Sequence, residues 1–274
     1  MRSHRVRGRM PEILQRLRIN LRVIGALGQR SVKQTFRRPQ LMAPILIFPT
    51  LLLAVQTGGA GRAVDLPGFP EVDNFLSFML AGAMLQSCLL AGNTGGIALA
   101  VDLEIGFTDR LLAAPISRFA IVLGRLAGTA VLGALTALWF VAIGLIFGAT
   151  FELGVPGVLL MIVFTSLAAV AFGGLSAAIA LYTGQASIVQ GLFPLIFVIL
   201  FLSSAFFPVN LLLEPAATVA EYNPLSFIVE GIREPVIGSL TAQTVAEAFA
   251  AIALVMAIST WLSAIALRRR LRVG

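Results

Sequence analysis

The chain has 274 residues, 58% of them hydrophobic and 12% charged, with a formal net charge of +7. That balance excludes a water-soluble body with an apolar core and a polar surface, because several apolar runs exceed the roughly 18–20 residues that cross about 30 Å of hydrocarbon as helix. One cysteine and one histidine exclude an intrachain disulfide and argue against a Cys/His metal cluster. The positive charge is gathered at the two ends, beside apolar runs, which points to membrane lipid and away from nucleic acid.

Residues 1–40 are rich in arginine, from Arg2 to Arg38, against a single acid, Glu12. No cleavable signal peptide is expected, since the basic start is long and no apolar core follows it promptly. From Glu12 the pattern becomes amphipathic. Ile13, Leu14, Leu17, Leu21 and Ile24 share one helical face and Arg18 and Arg22 the other, which predicts an interfacial helix at the headgroups; a solvated basic tail is the alternative. Six spans follow, over 41–56, 74–100, 119–147, 155–181, 186–207 and 241–267. Pro44 and Pro49 lie inside the first, which predicts a kink, and Pro194 lies inside the fifth. Residues 57–73 form a polar loop. Residues 208–238 are too apolar for a free loop and too short to cross twice. Leu211–Leu213 and Phe227–Val229, separated by Asn223-Pro224, predict two short helices re-entering the bilayer, with a plain external loop as the alternative. Residues 268–274 are a basic tail.

Between the second and third spans lies a charged island, Asp102 to Arg125. Phe107 and Leu111 are one helical turn apart, while Asp109 and Arg110 can face water; Pro115 then ends the helix. The segment therefore reads as a short amphipathic helix, a break and a return to the membrane. Orientation follows from the basic residues. All except Arg62 and Arg233 fall in the N-terminal region, the 102–125 loop or the C-terminal tail, so with six spans these three segments share one face, predicted cytoplasmic. Both termini are then inside, and Asp65, Glu71, Asp73, Glu152, Glu214, Glu221 and Glu234 outside.

The chain lacks a phosphate-binding loop: its one lysine, Lys33, follows Val32 and no glycine-rich turn. His4 is the sole candidate base for a catalytic triad, and no carboxylates stand at metal-ligand spacing within a span. Neither catalytic, metal nor cofactor residues are expected. Gln86, Ser87, Asn93 and Thr94 in the second span, Gln190 in the fifth and Gln185 at its mouth are the notable intramembrane polar groups. They either face a translocation path or hydrogen-bond neighbouring helices. Gly92/Gly96 and Gly124/Gly128 are small-residue pairs suited to close helix packing. Arg125 either reaches the headgroups or pairs with Asp102 or Glu104, and Glu230 and Arg233 stand at pairing distance on a helix.

The run Asp-Leu-Glu-Ile-Gly-Phe-Thr-Asp-Arg-Leu-Leu-Ala-Ala-Pro-Ile-Ser from Asp102 resembles the cytoplasmic loop of ABC-2-type permeases, the membrane subunits of ATP-binding-cassette exporters. Ser203–Pro208, Glu221–Phe227 and Glu230–Arg233 resemble the external segment of that family, and Ala180–Gln185 its daunorubicin-resistance-like subgroup. The order of these motifs covers the chain from about residue 36 onward; Glu234-Pro235 departs from the pattern where a helix would continue. The resemblance implies an all-α polytopic membrane protein in the inner (plasma) membrane, with a coupling helix between spans 2 and 3. Glu104, Gly106, Phe107, Asp109, Arg110, Leu111, Leu112 and Pro115 would dock on a separate ABC ATPase, which would hold ATP and Mg. A second copy or a related permease would complete the path, with Gln86, Asn93, Gln185 and Gln190 along it and Pro208, Asn223, Pro224, Glu230 and Arg233 in the external segment. Membrane lipids and a hydrophobic substrate are the other partners, and efflux of an amphipathic drug or lipid, as in multidrug or antibiotic resistance, is the implied function. The alternatives are an ion-coupled secondary transporter, for which the spans lack a mid-depth charge, and an integral membrane enzyme or assembly protein, for which Asp102–Asp109 is the one candidate cluster.

Overall fold

A computed structural model describes residues 9–37, 39–107 and 118–273. The helices among them are α1 (Arg9–Phe36), α2 (Pro39–Ala60), α3 (Phe75–Glu104), α4 (Arg118–Ile146), α5 (Gly154–Thr183), α6 (Ala186–Gln190), α7 (Phe193–Phe201), α8 (Ala216–Tyr222), α9 (Pro224–Ile237) and α10 (Ala242–Val273), with no strand among the described residues. Five segments are long and apolar enough to cross a membrane: Met42–Asp65, Phe75–Glu104, Leu126–Ile146, Gly154–Thr183 and Ala242–Arg269. The molecule is a multi-pass membrane protein.

Helix α3 is the centre. It is apolar on every side, and such a helix needs protein around its whole circumference or lipid in its place. Here it is protein: Phe78, Met84, Leu85 and Cys88 are fully buried, and α2, α4, α5 and α9 pack around it. Glycine sets the spacing to α5. A Cβ on Gly92 would stand 2.8 Å from the Gly173 nitrogen, and one on Gly96 2.3 Å from the Ser176 Cβ. Helices α4 and α10 pack on the other sides of α5.

The bundle has two ends. At one, here the basic end, α1 lies against the start of α4. A Cβ on Gly124 would stand 2.7 Å from the Leu27 Cβ and 3.2 Å from the Ile24 carbonyl, so the apolar face expected to meet lipid is partly taken by protein. Leu21 remains 66% exposed. At the other, acidic end, the Asn74 amide donates to the Gly148 carbonyl (3.1 Å), the Thr150 hydroxyl to Asp73 (2.7 Å) and the Asn210 amide to the Gly68 carbonyl (2.6 Å).

The segment expected to be the fifth span differs from a continuous helix over 186–207. It forms α6 and α7, five and nine residues long. Pro194 has no N–H for the Gln190 carbonyl, so α6 stops at Gln190 and the helix restarts with Pro194 in its first turn. Beyond Phe201 the chain turns, because the Asn223 amide takes the Ile199 and Leu202 carbonyls at 2.9 and 2.7 Å, supplying partners the helix end lacks. Between Pro208 and Gly238 the helices are α8 and α9. Leu213 is 84% exposed and outside both. Helix α9 continues through Pro235 and ends at Gly238, whose φ of 79° favours glycine.

Replacing Gly96 by valine forces α3 and α5 apart and is expected to cost on the order of 1–3 kcal/mol, read as a lower thermal midpoint in detergent. The same change at Gly58, where a Cβ meets nothing within 4 Å, should leave the midpoint near wild type.

Candidate functional site

Two clusters of polar and charged residues gather at the two ends of α3. At the basic end the helix runs further than its expected limit of 100, so Asp102 belongs to its last turns and is buried. Gly106, at φ 67°, reverses the chain after the Ile105 cap, and its N–H bonds the Leu103 carbonyl at 3.0 Å. Arg30 of α1 then reaches across. Its Nη2 lies 3.4 Å from Asp102 Oδ1, and its guanidinium carbon sits 3.8 Å from the centre of the Phe107 ring. With Arg30 a third exposed the ion pair contributes about 1 kcal/mol or less; its effect is to hold Phe107 against α1. Glu104, exposed, accepts the Ala186 N–H at 2.7 Å, placing a carboxylate at the start of α6 where backbone donors are unpaired. The segment leaving α3 is therefore fastened to α1 and to α6. The expected docking helix and its residues Asp109, Arg110, Leu111, Leu112 and Pro115 lie outside the described residues. Arg30 was not expected here; the sequence left Arg125 open between the headgroups and a pairing with Asp102 or Glu104, and its side chain lies outside the described residues.

At the acidic end the largest buried side chain is Arg233 of α9, 1% exposed. A guanidinium removed from water needs its charge and its donors answered. Glu230, one turn earlier, pairs with Nη1. Nε donates to the Phe78 carbonyl at 3.2 Å, and Nη2 donates to the Ser204 and Ala205 carbonyls at 2.9 and 3.1 Å. The Phe78 ring lies 3.9 Å from the guanidinium carbon. Glu230 also accepts the Ser204 hydroxyl at 2.6 Å, and the Ser226 hydroxyl accepts the Ser204 N–H at 3.1 Å. Asn223 opens α9: its Oδ1 accepts the Leu225 N–H at 2.9 Å, with Pro224 in the first turn. Pro208 stands at the preceding turn, ahead of the short Val209–Leu211 turn. Nearby, burial pushes the Glu234 carboxyl up from its ordinary value against the lowering effect of hydrogen bonds from Thr244 and Thr241.

The four expected path residues are not brought together. Gln86 is 1% exposed with both amide atoms unpartnered, and Asn93 is buried with its Oδ1 accepting from Ser176 at 3.3 Å. Gln185 and Gln190 are exposed on and beside α6. Within this chain Asn93 serves helix packing, and only the α6 pair faces outward.

The sequence profile of the ABC-2 type transporter family matches residues 22–237. The chain belongs to the ABC-2 type transporter family. It is 28% identical over 212 residues to a transport permease, ycf38, of Porphyra purpurea, covering 77% of this chain and 72% of that one. It is 26% identical over 212 residues to the ycf38 protein of Pyropia yezoensis, with the same coverage. The region matched in this ABC-2 transporter takes in Arg30, Asp102 and the whole Arg233 cluster, and it supports a role in membrane transport.

Replacing Arg233 by alanine strips three carbonyls of this donor and Glu230 of its cation at once. The expected loss is about 3 kcal/mol or more, seen as early thermal unfolding. Lysine, with one point charge in place of the planar fork, should recover only part of it.

Proposed function

We propose that this ABC-2 protein is the transmembrane subunit of an ATP-binding-cassette exporter of the daunorubicin-resistance-like kind, driven by ATP and Mg held on a separate ATPase chain. The basic end faces the cytoplasm, both termini lie there, and the membrane is the inner (plasma) membrane. The observation that carries this reading is the fastening of the post-α3 segment. A push on Phe107 reaches α1 through the ring's contact with Arg30, and α6 through the Glu104 bond at the end of α3. Apolar contact by Phe107, Leu111 and Leu112 transmits the force, and Glu104, Asp109 and Arg110 set the register, with Gly106 and Pro115 bounding the segment.

Six crossings belong to the same proposal. Ala186 is bonded at the basic end and Asn210 at the acidic end, so the chain between them passes from one to the other although its helix is broken. Non-helical backbone at that depth needs cover. The outward side of this segment is apolar and unfilled: Phe201, Leu195 and Val198 of α7 and Phe48, Leu51 and Val55 of α2 are all exposed, with Phe48 edge-on to Phe193 and Phe197. A second copy or a related permease covers that side, and the substrate, an amphipathic drug or lipid, passes between the two beside Gln185 and Gln190. The near-absence of charge at mid-depth suits such a substrate and gives an ion-coupled mechanism nothing to work with.

Leu111→Asp and Phe107→Asp are expected to insert and fold normally yet to abolish substrate-stimulated ATP hydrolysis by the reconstituted complex and to lower export at least tenfold. Normal export by a well-folded Leu111→Asp protein contradicts the coupling role.

A further inference from the structure

Helices α4 and α10 both rest on α5, and between them, toward the basic end, they leave a cleft of about 630 Å³. That volume lies within the roughly 300–1,000 Å³ of ligand pockets. Its back wall is Val170, Gly174, Ala177 and Leu181 of α5, and Ile24 of α1 closes it at the basic end. Small side chains hollow it out: Ala127 and Ala130 on one side, Ala264 on the other.

The walls are apolar even where their residues are not. Ser259 and Thr260 donate to the Met256 carbonyl at 2.9 and 2.7 Å, and Ser263 to the Gly174 carbonyl at 3.4 Å. The hydroxyl protons are thus spent on backbone, leaving hydrocarbon to face an occupant. The mouth is different. Arg268 lies one helical turn beyond Ala264, on the stripe that also carries Thr260. It is exposed, and no ion pair involves it among the described residues.

We propose that this cleft is a binding site for one anionic phospholipid of the leaflet at the basic end, its acyl chain lying along α5 and its phosphate on Arg268. The inference rests on the multi-pass membrane assignment alone and is independent of the ATPase, the direction of transport and the substrate. An apolar trough whose hydroxyl donors are spent on backbone fits a hydrocarbon chain, and an exposed arginine at its mouth selects a negative headgroup over a zwitterionic one.

The test is native mass spectrometry of the full chain purified in mild detergent with phosphatidylglycerol or phosphatidylcholine added at equal concentration. The wild-type protein should retain one phosphatidylglycerol in preference to phosphatidylcholine. Arg268→Gln, an exposed change that leaves the packing intact, should weaken phosphatidylglycerol retention about fivefold, the factor equivalent to about 1 kcal/mol per surface cation, and leave phosphatidylcholine unchanged. Ala264→Phe, which fills the trough, should abolish retention of the bound lipid, while Leu254→Phe on the exposed side of α10 should not. Equal retention of the two lipids, or retention that survives Ala264→Phe, means ordinary annular lipid and overturns the site. Unaltered phosphatidylglycerol retention by Arg268→Gln overturns the headgroup assignment.

Discussion

The burial of Arg233 is the constraint on which the acidic end depends. A cation with almost no exposure is sustained only if each of its nitrogens has an acceptor, and the acceptors come from three separate parts of the chain. Phe78 belongs to α3, Ser204 and Ala205 to the turn after α7, and Glu230 to α9 itself. Satisfying one guanidinium therefore fixes where α9 lies, where α7 must stop and which residues α3 turns toward them. Asn223 completes the joint, closing the end of α7 and opening α9 with a single side chain.

Helix α3 joins that cluster to the opposite end. Enclosed by protein over its central 18 residues and held close to α5 at glycines, it has little freedom to tilt on its own. Its last turns carry Asp102 and Glu104, which fasten α1 and α6. Both fastenings are modest. One is a partly exposed ion pair reinforced by a ring contact, the other a hydrogen bond to the first turn of a short helix. Strong packing in the middle and weak joints at the basic end leave the described residues after α3, 105–107, and not α3 itself, as the part with most freedom to move. Under the proposed orientation, that is the end that meets the ATPase.

Much of this was legible in the residues, and what was not has definite causes. Hydropathy and the glycine pairs pointed to long helices and close packing, and the three-residue spacing of Glu230 and Arg233 to their pairing. The carbonyls that answer the rest of Arg233 left no mark, because any residue supplies a carbonyl. The break in the fifth segment had one mark in the sequence, Pro194, yet proline inside membrane helices is often absorbed as a kink, so a continuous helix was the simpler expectation. Arg30 was hidden among many neighbouring arginines that sequence cannot rank. Polarity at mid-depth left Gln86 and Asn93 open between a path and interhelical hydrogen bonds; Asn93 bonds Ser176, and the all-round apolar character of α3 already implied enclosure.

The account stands or falls on which end of the bundle meets ATP. In a protein with Cys88 replaced by alanine, single cysteines at Ile105, 63% exposed at the basic end, and at Leu213, 84% exposed at the acidic end, would be treated with a membrane-impermeant maleimide. The account predicts that intact cells label Leu213→Cys and spare Ile105→Cys until the membrane is opened. Labelling of Ile105→Cys in intact cells would contradict it, because no intracellular ATPase could then reach the segment that follows α3.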